Sequence, residues 1–204
     1  MTDSIGIILL AAGLSSRMGA LKPLLQLGDK TFLQHILSNP FMSRDDVAGV
    51  AVVGHEQDQV RRFILPPIQI VVNPDYRLGR MSSIQCGLRA LAVSVRGAMI
   101  WPVDCPLIPH RVLVSIMNAL ERTDRIIIPS FQFRRGHPPL IGSAFFSEIG
   151  QMKPDEPLRD LYRSHADALI HVTVDSETIL HNVNTPEDYE RICAYFVENR
   201  CGDI

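Results

Sequence analysis

Short apolar runs alternate with helical patterns along nearly the whole chain, and this alternation narrows the fold more than any other feature. The runs Ile5–Leu10, Val47–Val53, Ile68–Val72, Ala98–Val103, Arg125–Ile128 and Leu169–Val174 read as strands. Helical patterns fall at Thr31–Leu37, Gln57–Ile64, Ser82–Val95, Arg111–Arg122, Leu158–His165 and Pro186–Asn199. Strands built almost entirely of Val, Ile and Leu are buried on both faces, so the pattern predicts an α/β fold. A mostly parallel, Rossmann-like sheet would lie between helices in a three-layer α/β/α sandwich. The stretch Phe131–Gly150 is the least regular. It is expected to hold a strand around Pro138–Gly142, with antiparallel pairing open, and then a short helix. Pro66-Pro67 and Pro154–Pro157 read as turns. No repeat, low-complexity tract or linker interrupts the chain, so residues 1–204 are expected to form one domain, with a frayed tail after Arg200.

Composition removes several function classes. Hydrophobic residues make up 46% and charged residues 21%, which excludes disorder as the main state. Basic and acidic residues number 20 and 22, without the basic excess that a nucleic-acid groove needs, so no nucleic-acid partner is expected. No apolar stretch matches a membrane span and the first residues lack a signal-peptide core, so no membrane partner and a cytoplasmic location are expected. Cys86, Cys105, Cys193 and Cys201 form no Cys-x-x-Cys pair and read as free thiols. Cys105 reads as a small packing residue, not a nucleophile.

The first strand breaks at once into small residues, Ala11, Ala12, Gly13, Ser15 and Ser16, and Arg17, Gly19 and Lys22 follow. Small residues let backbone N–H groups approach an anion, and the two cations can reach the same anion on flexible arms. This describes a triphosphate cradle at the end of a strand. It is not a P-loop, because five residues separate Gly13 from Gly19 and no Gly-Lys-Ser/Thr follows.

Four further segments carry chemistry. Asp104 directly follows the Ala98–Val103 strand, at the carboxyl edge of the sheet, as either a hard oxygen ligand for Mg²⁺ or a helix or turn cap. In Asn73–Leu88, Gly79 permits a tight loop, and Ser82 or Ser83 can cap a helix whose N-terminus faces a ligand. Arg134, Arg135 and His137 form either an anion collar or the end of a turn. Thr185, Pro186 and Asp188 supply a cap, a first-turn proline and a first-turn acid, which account for a helix start without any function.

Leu10–Lys22 resembles the Leu-Ala-(Ala/Gly)-Gly-x-Ser-x-Arg-Met-Gly-x-x-Lys signature of the MobA-like nucleotidyltransferases. That family includes the molybdenum cofactor cytidylyl- and guanylyltransferases and, more distantly, sugar-phosphate nucleotidyltransferases. Asp104-Cys105-Pro106, Asn73–Leu88, Gly136-His137-Pro138 and Asn182–Asp188 are similar to its other motifs. The resemblance implies the nucleotide-diphospho-sugar transferase type of fold and transfer of a nucleoside monophosphate from an NTP to a phosphorylated acceptor. Leu10, Ala11, Ala12, Gly13, Ser15, Arg17, Lys22, Asn73, Gly79, Ser82 and Ser83 would then contact nucleotide, with Arg17, Lys22 and Asp104 catalytic. Asp104 would bind Mg²⁺ with Asn184 as auxiliary ligand, and Arg135 and His137 would meet the acceptor. Ala12 and Gly136-His137-Pro138 favour CTP over GTP, whereas Asn182-Val183-Asn184 pulls the other way. The implied acceptor is molybdopterin, with a molybdoenzyme or its maturation chaperone as a further partner. A sugar- or polyol-phosphate nucleotidyltransferase and a non-catalytic nucleotide-binding or cofactor-carrier module are the alternatives.

Overall fold

The structure, a computed structural model, describes residues 4–91 and 94–199. Cys201 and the tail after Arg200 lie outside the described residues, as do residues 92–93 of the expected Ser82–Val95 helix. The strands are β1 (Ile5–Ala11), β2 (Gln26–Leu27), β3 (Lys30–Thr31), β4 (Val47–Val53), β5 (Gln69–Val72), β6 (Gly97–Pro102), β7 (Ile126–Phe131), β8 (Arg134–Arg135), β9 (Leu140–Gly142) and β10 (Leu169–Thr173). The helices are α1 (Phe32–Leu37), α2 (Gln57–Val60), α3 (Arg80–Ala90), α4 (His110–Asn118), α5 (Phe146–Gln151), α6 (Leu158–Ser164) and α7 (Pro186–Glu198).

The main sheet runs in the order β10-β7-β9-β6-β1-β4-β5, with β8 paired to β7. Strand β1 lies parallel between β4 and β6, with Ile5 level with both Val47 and Gly97. The other parallel pairs are β4 with β5 and β7 with β10. Strand β9 settles the open question of the irregular segment: it is antiparallel and wedged between β6 and β7.

Every residue of β1 is buried, and its alternate side chains supply two different cores. Ile5, Ile7 and Leu9 pack with Phe32, Leu33 and Ile36 of α1, with Leu113 and Ile116 of α4, and with Ile192 of α7. Ile8 and Leu10 pack on the other face with Met81 and Ile84 of α3, Ile149 of α5 and Leu161 of α6. Helices therefore cover both faces, as the continuous apolar strands predict. Helix α3 lies so close to β1 that a Cβ on Gly87 would come within 2.4 Å of Ile8 Cγ2. Among the described residues, no helix is long and apolar enough to cross a membrane.

Boundaries differ where local turns win over periodicity. The α-helix expected at Gln57–Ile64 ends at Val60 and tightens into a 3-10 turn over Arg61–Phe63. Helix α3 starts at Arg80, before the expected Ser82, because Gly79 at φ 137° turns the chain there. Ser82 thus falls inside the first turn. Its hydroxyl donates to the carbonyls of Gly79 and Asp75, at 2.7 and 3.0 Å, and does not cap the helix. Ser83 does not cap it either, since no side chain caps this helix start.

Candidate active site

From β1 the chain builds outward to β4 and β5, then crosses back to place β6 on the other side of β1. That reversal leaves a crevice outside the carboxyl ends of β1 and β6, where open α/β sheets bind their ligands. The Val103 N–H donates to the Leu10 carbonyl at 3.1 Å, holding the two strand ends together. The Val183 N–H donates to the Asp104 carbonyl at 3.0 Å, bringing in the segment that precedes α7.

Three side chains meet in this crevice. Lys22 starts a 3-10 turn stiffened by Pro23, and its backbone N–H donates to Ser15 Oγ at 3.1 Å. The Lys22 ammonium donates to Asn184 Oδ1 at 2.8 Å and lies 3.4 Å from Asp104 Oδ2. The Asp104 side chain is only 9% exposed, so removal of Lys22 would leave a largely buried carboxylate short of a cation. Arg80 approaches the same carboxylate oxygen to 4.0 Å from an exposed position. Asn184 is held by the start of α7, where the Asp188 carboxylate accepts from the Asn184 and Thr185 N–H groups, each at 2.9 Å. Burial works to raise the Asp188 carboxyl. The N–H groups of Asn184 and Thr185, with the Arg191 guanidinium, outweigh it and hold the group below the usual carboxylate range.

The donor set fits a hard divalent cation. One carboxylate oxygen and one amide oxygen converge on a single positive charge, the Lys22 ammonium. Among the described residues no group of three or more His, Cys, Asp or Glu could hold a metal. An ion at Asp104 and Asn184 would therefore take its other ligands from phosphate and water, as Mg²⁺ commonly does.

A cavity of about 200 Å³ opens beside this cluster. Of the residues expected to touch nucleotide, Leu10, Ala11, Ala12, Gly13, Ser15, Lys22, Gly79 and Ser83 line it, with Asp104. Arg17 is exposed and does not line it. Asn73 and Ser82 are buried behind the wall, where the Asn73 amide donates to Ser82 Oγ and Ser83 Oγ at 2.9 and 3.0 Å. Their visible role is to shape the loop that carries Gly79. The Ala12 methyl is packed near Gly54, where an added Cβ would come within 3.0 Å of it, so it projects less into the cavity than its sequence position suggests. Five lining residues are outside the expected site set, Pro23, Tyr76, Arg80, Pro102 and Val103, and of these Tyr76 and Arg80 carry polar side-chain groups. Both lie inside the Asn73–Leu88 motif, and the available signal for Arg80 was a cation directly after the loop glycine.

The two acceptor candidates are separated. His137 lines a neighbouring cavity, whereas Arg135 is exposed on β8 with its guanidinium 3.3 Å from His171 Nε2. Burial pushes the His137 imidazole below its ordinary pKa, toward the neutral form. Cys105 is fully buried, and burial beside Asp104 pushes its thiol pKa up, which fits a packing residue. Its Sγ donates to Asn182 Oδ1 at 2.6 Å, giving Asn182 a structural role.

Lys22 and Asp104 fall inside the stretch of chain that matches a known family, and Asn184 lies beyond it. The pattern of the MobA-like NTP transferase domain matches residues 7–169, and the chain belongs to that family. It is accordingly a nucleotidyltransferase, an enzyme of phosphoryl chemistry. The chain is 26% identical to the molybdenum cofactor cytidylyltransferase of Escherichia coli K12, over 92% of this chain and 94% of that protein. It is 32% identical to the bifunctional protein GlmU of Solibacter usitatus over 84% of its own length, but spans only 45% of that protein. The crystal structure of an Rv0371c homologue from Mycobacterium sp. strain JC1 superposes with a TM-score of 0.85 at 26% identity, covering 97% of this chain and 99% of the other.

Proposed function

We propose that this chain transfers CMP from CTP to the phosphate of a small acceptor, molybdopterin being the best match, with Mg²⁺ as cofactor and pyrophosphate as the second product. The observation that carries the reading is the convergence of Lys22, Asp104 and Asn184 beside the small-residue loop Ala11–Gly13. An oxygen of the acceptor phosphate attacks the α-phosphorus of the nucleotide. A new P–O–P bond forms as the bond to the β-phosphate bridging oxygen breaks, and pyrophosphate leaves with that electron pair. A phosphate monoester has its second pKa at about 6 and is largely ionised near neutral pH. No side chain is then needed as general base.

This chain's part is positioning and fixed charge. Lys22 can move from its Asp104 and Asn184 partners onto a triphosphate, and Arg80 stands at the edge of the same cavity. Arg17, on the exposed loop, can fold over the outer phosphates. A divalent ion held by Asp104 and Asn184 would neutralise phosphate charge and polarise the α-phosphate. The preference for CTP rests on Gly136-His137-Pro138 and on the cytidylyltransferase relative, while the Ala12 methyl, packed near Gly54, adds little to it. In this reading residues 1–204 act as one domain in the cytoplasm, and a molybdoenzyme or its maturation chaperone receives the product.

The test is turnover with each of the four NTPs, Mg²⁺ and molybdopterin, measuring pyrophosphate and the nucleotidylated product. CTP should support the fastest product formation and the largest rise in melting temperature. Faster turnover with GTP would overturn the base assignment, and no pyrophosphate with any NTP would overturn the transfer reading.

A further inference from the structure

A cavity of about 450 Å³ lies apart from the crevice and shares no lining residue with the space beside Lys22 and Asp104. It opens between α1 and the segment 106–111, which runs from beside Asp104 into α4. Lys30 and His35 reach it from β3 and α1, and His110 and Arg111 reach it from the start of α4. No Asp or Glu lines it among the described residues, and the first turn of α4 contains no acid. In a chain with 20 basic and 22 acidic residues, a wall of one sign is a local arrangement and not a reflection of composition.

The protein's own contacts leave this charge largely unneutralised. The Lys30 ammonium donates to the Ser38 hydroxyl at 3.0 Å, a neutral partner, and meets no carboxylate among the described residues. Arg111 uses only its Nε toward Asp175, at 3.3 Å. Both side chains of that pair are exposed, so it is weak, and it leaves the two Nη groups of Arg111 to face a ligand. His35 donates its Nε2 proton to the Leu27 carbonyl at 2.7 Å, which holds the ring in place. The His110 Nδ1 is buried with no hydrogen-bond partner among the described residues, so the fold itself leaves a polar atom of this wall unsatisfied. The wall is also stiff. Pro40, Pro106 and Pro109 line it, and the Asn39 amide donates to the Ile108 carbonyl at 2.8 Å, tying the segment before α4 to the turn after α1.

We propose that this cavity is a second anion site, built for a small ligand that carries two or more linked phosphates. Lys30 and Arg111 supply fixed charge, and His35 and His110 add to it when protonated. Such a wall calls for a ligand with several negative charges in a small volume, which linked phosphates provide and a single carboxylate does not. The planar fork of Arg111 and the mobile ammonium of Lys30 are complementary ways of meeting phosphate oxygens. The site stands apart from the transfer chemistry proposed above and does not depend on it.

Titration of the full chain with inorganic pyrophosphate, without metal, tests this through the imidazole NMR signals of His35 and His110, which report on this cavity alone. Both signals should move and saturate together. Lys30→Glu and Arg111→Glu, at positions outside the core, should each raise the midpoint by about tenfold or more, because a charge-assisted contact becomes a repulsion. Lys22→Ala, in the crevice, should leave the midpoint within about twofold, since sites without shared partners respond independently. Citrate, which has carboxylates and no phosphate, should bind more weakly than pyrophosphate. Signals that do not move, or a midpoint that either charge reversal leaves unchanged, would overturn the proposal. A midpoint that followed Lys22→Ala instead would assign the anion to the crevice and overturn it as well. Tighter binding of citrate would refute the phosphate class.

Discussion

The Asn184 side-chain oxygen accepts a 2.8 Å hydrogen bond from the Lys22 ammonium across a separation of 162 residues. That contact joins the loop after β1 to the segment before α7 and encloses Asp104 between them. The site is therefore one electrostatic unit, and its members should respond to substitution together.

Lys22→Ala should lower turnover by about 10²–10³-fold, the typical loss when one fixed donor to a transition-state oxyanion is removed. Nucleotide affinity should fall as well, because the triphosphate loses a cation. Titration with CTP and a pyrophosphate assay on the folded variant check both effects. Unaltered values in both would exclude Lys22 from the chemistry.

Asn184→Asp adds a carboxylate to the oxygen pair and should lower the Mg²⁺ concentration at half-maximal turnover several-fold. Asp104→Asn should move the same quantity in the opposite direction and reduce the maximal rate. Metal titrations of the three proteins at fixed CTP provide the comparison. If both substitutions shifted it the same way, the two oxygens would not be ligands to one ion.

Asp188→Asn should cost about 1 kcal/mol at neutral pH, through weakened bonds to the first N–H groups of α7. The folded carboxyl pKa is depressed, so this stabilisation is fully present above the unfolded value of about 3.9 and is lost as pH falls through the folded value. Urea unfolding at pH 7 and pH 3 should show the gap between the two proteins shrinking in acid. A gap that stayed constant or widened would refute the linkage.

Two glycines should behave in opposite ways. Gly79 has φ 137° and faces the Pro154 carbonyl, so Gly79→Ala should lose at least about 1–3 kcal/mol of stability. At Gly13 a Cβ meets nothing within 4 Å, and the residue borders the nucleotide cavity. Gly13→Ala should thus leave stability nearly unchanged while weakening CTP binding. Thermal melts with and without CTP separate the two effects.

The layered α/β architecture was legible because β1, β4, β6 and β7 are nearly continuous apolar runs with almost no polar residue to face water, a pattern that points to burial on both faces. The start of α7 was legible for a local reason, since Thr185, Pro186 and Asp188 carry its capping signal within four residues. Strand β9 was harder to read. Leu140–Gly142 is too short to show a period, and its direction is set by partners far away in sequence. Lys22, Asp104 and Asn184 could each be named from their motifs, but nothing local says that the ammonium bonds both oxygens. Tyr76 and Arg80 went unnoticed because the Asn73–Leu88 motif draws attention to its glycine and serines, and only folding turns these two side chains to the cavity.

Strand β9 also has a bearing on how the protein is made. Strands β5, β4, β1 and β6 are all encoded before residue 103, yet the free side of β6 is covered only when Leu140–Gly142 has emerged. A growing chain that has reached β6 but not β9 carries an open strand edge, a template onto which another nascent chain can add. Three residues of reversed direction close it. Any shortened form that stops before Gly142 should accumulate as aggregates even though its central strands are intact.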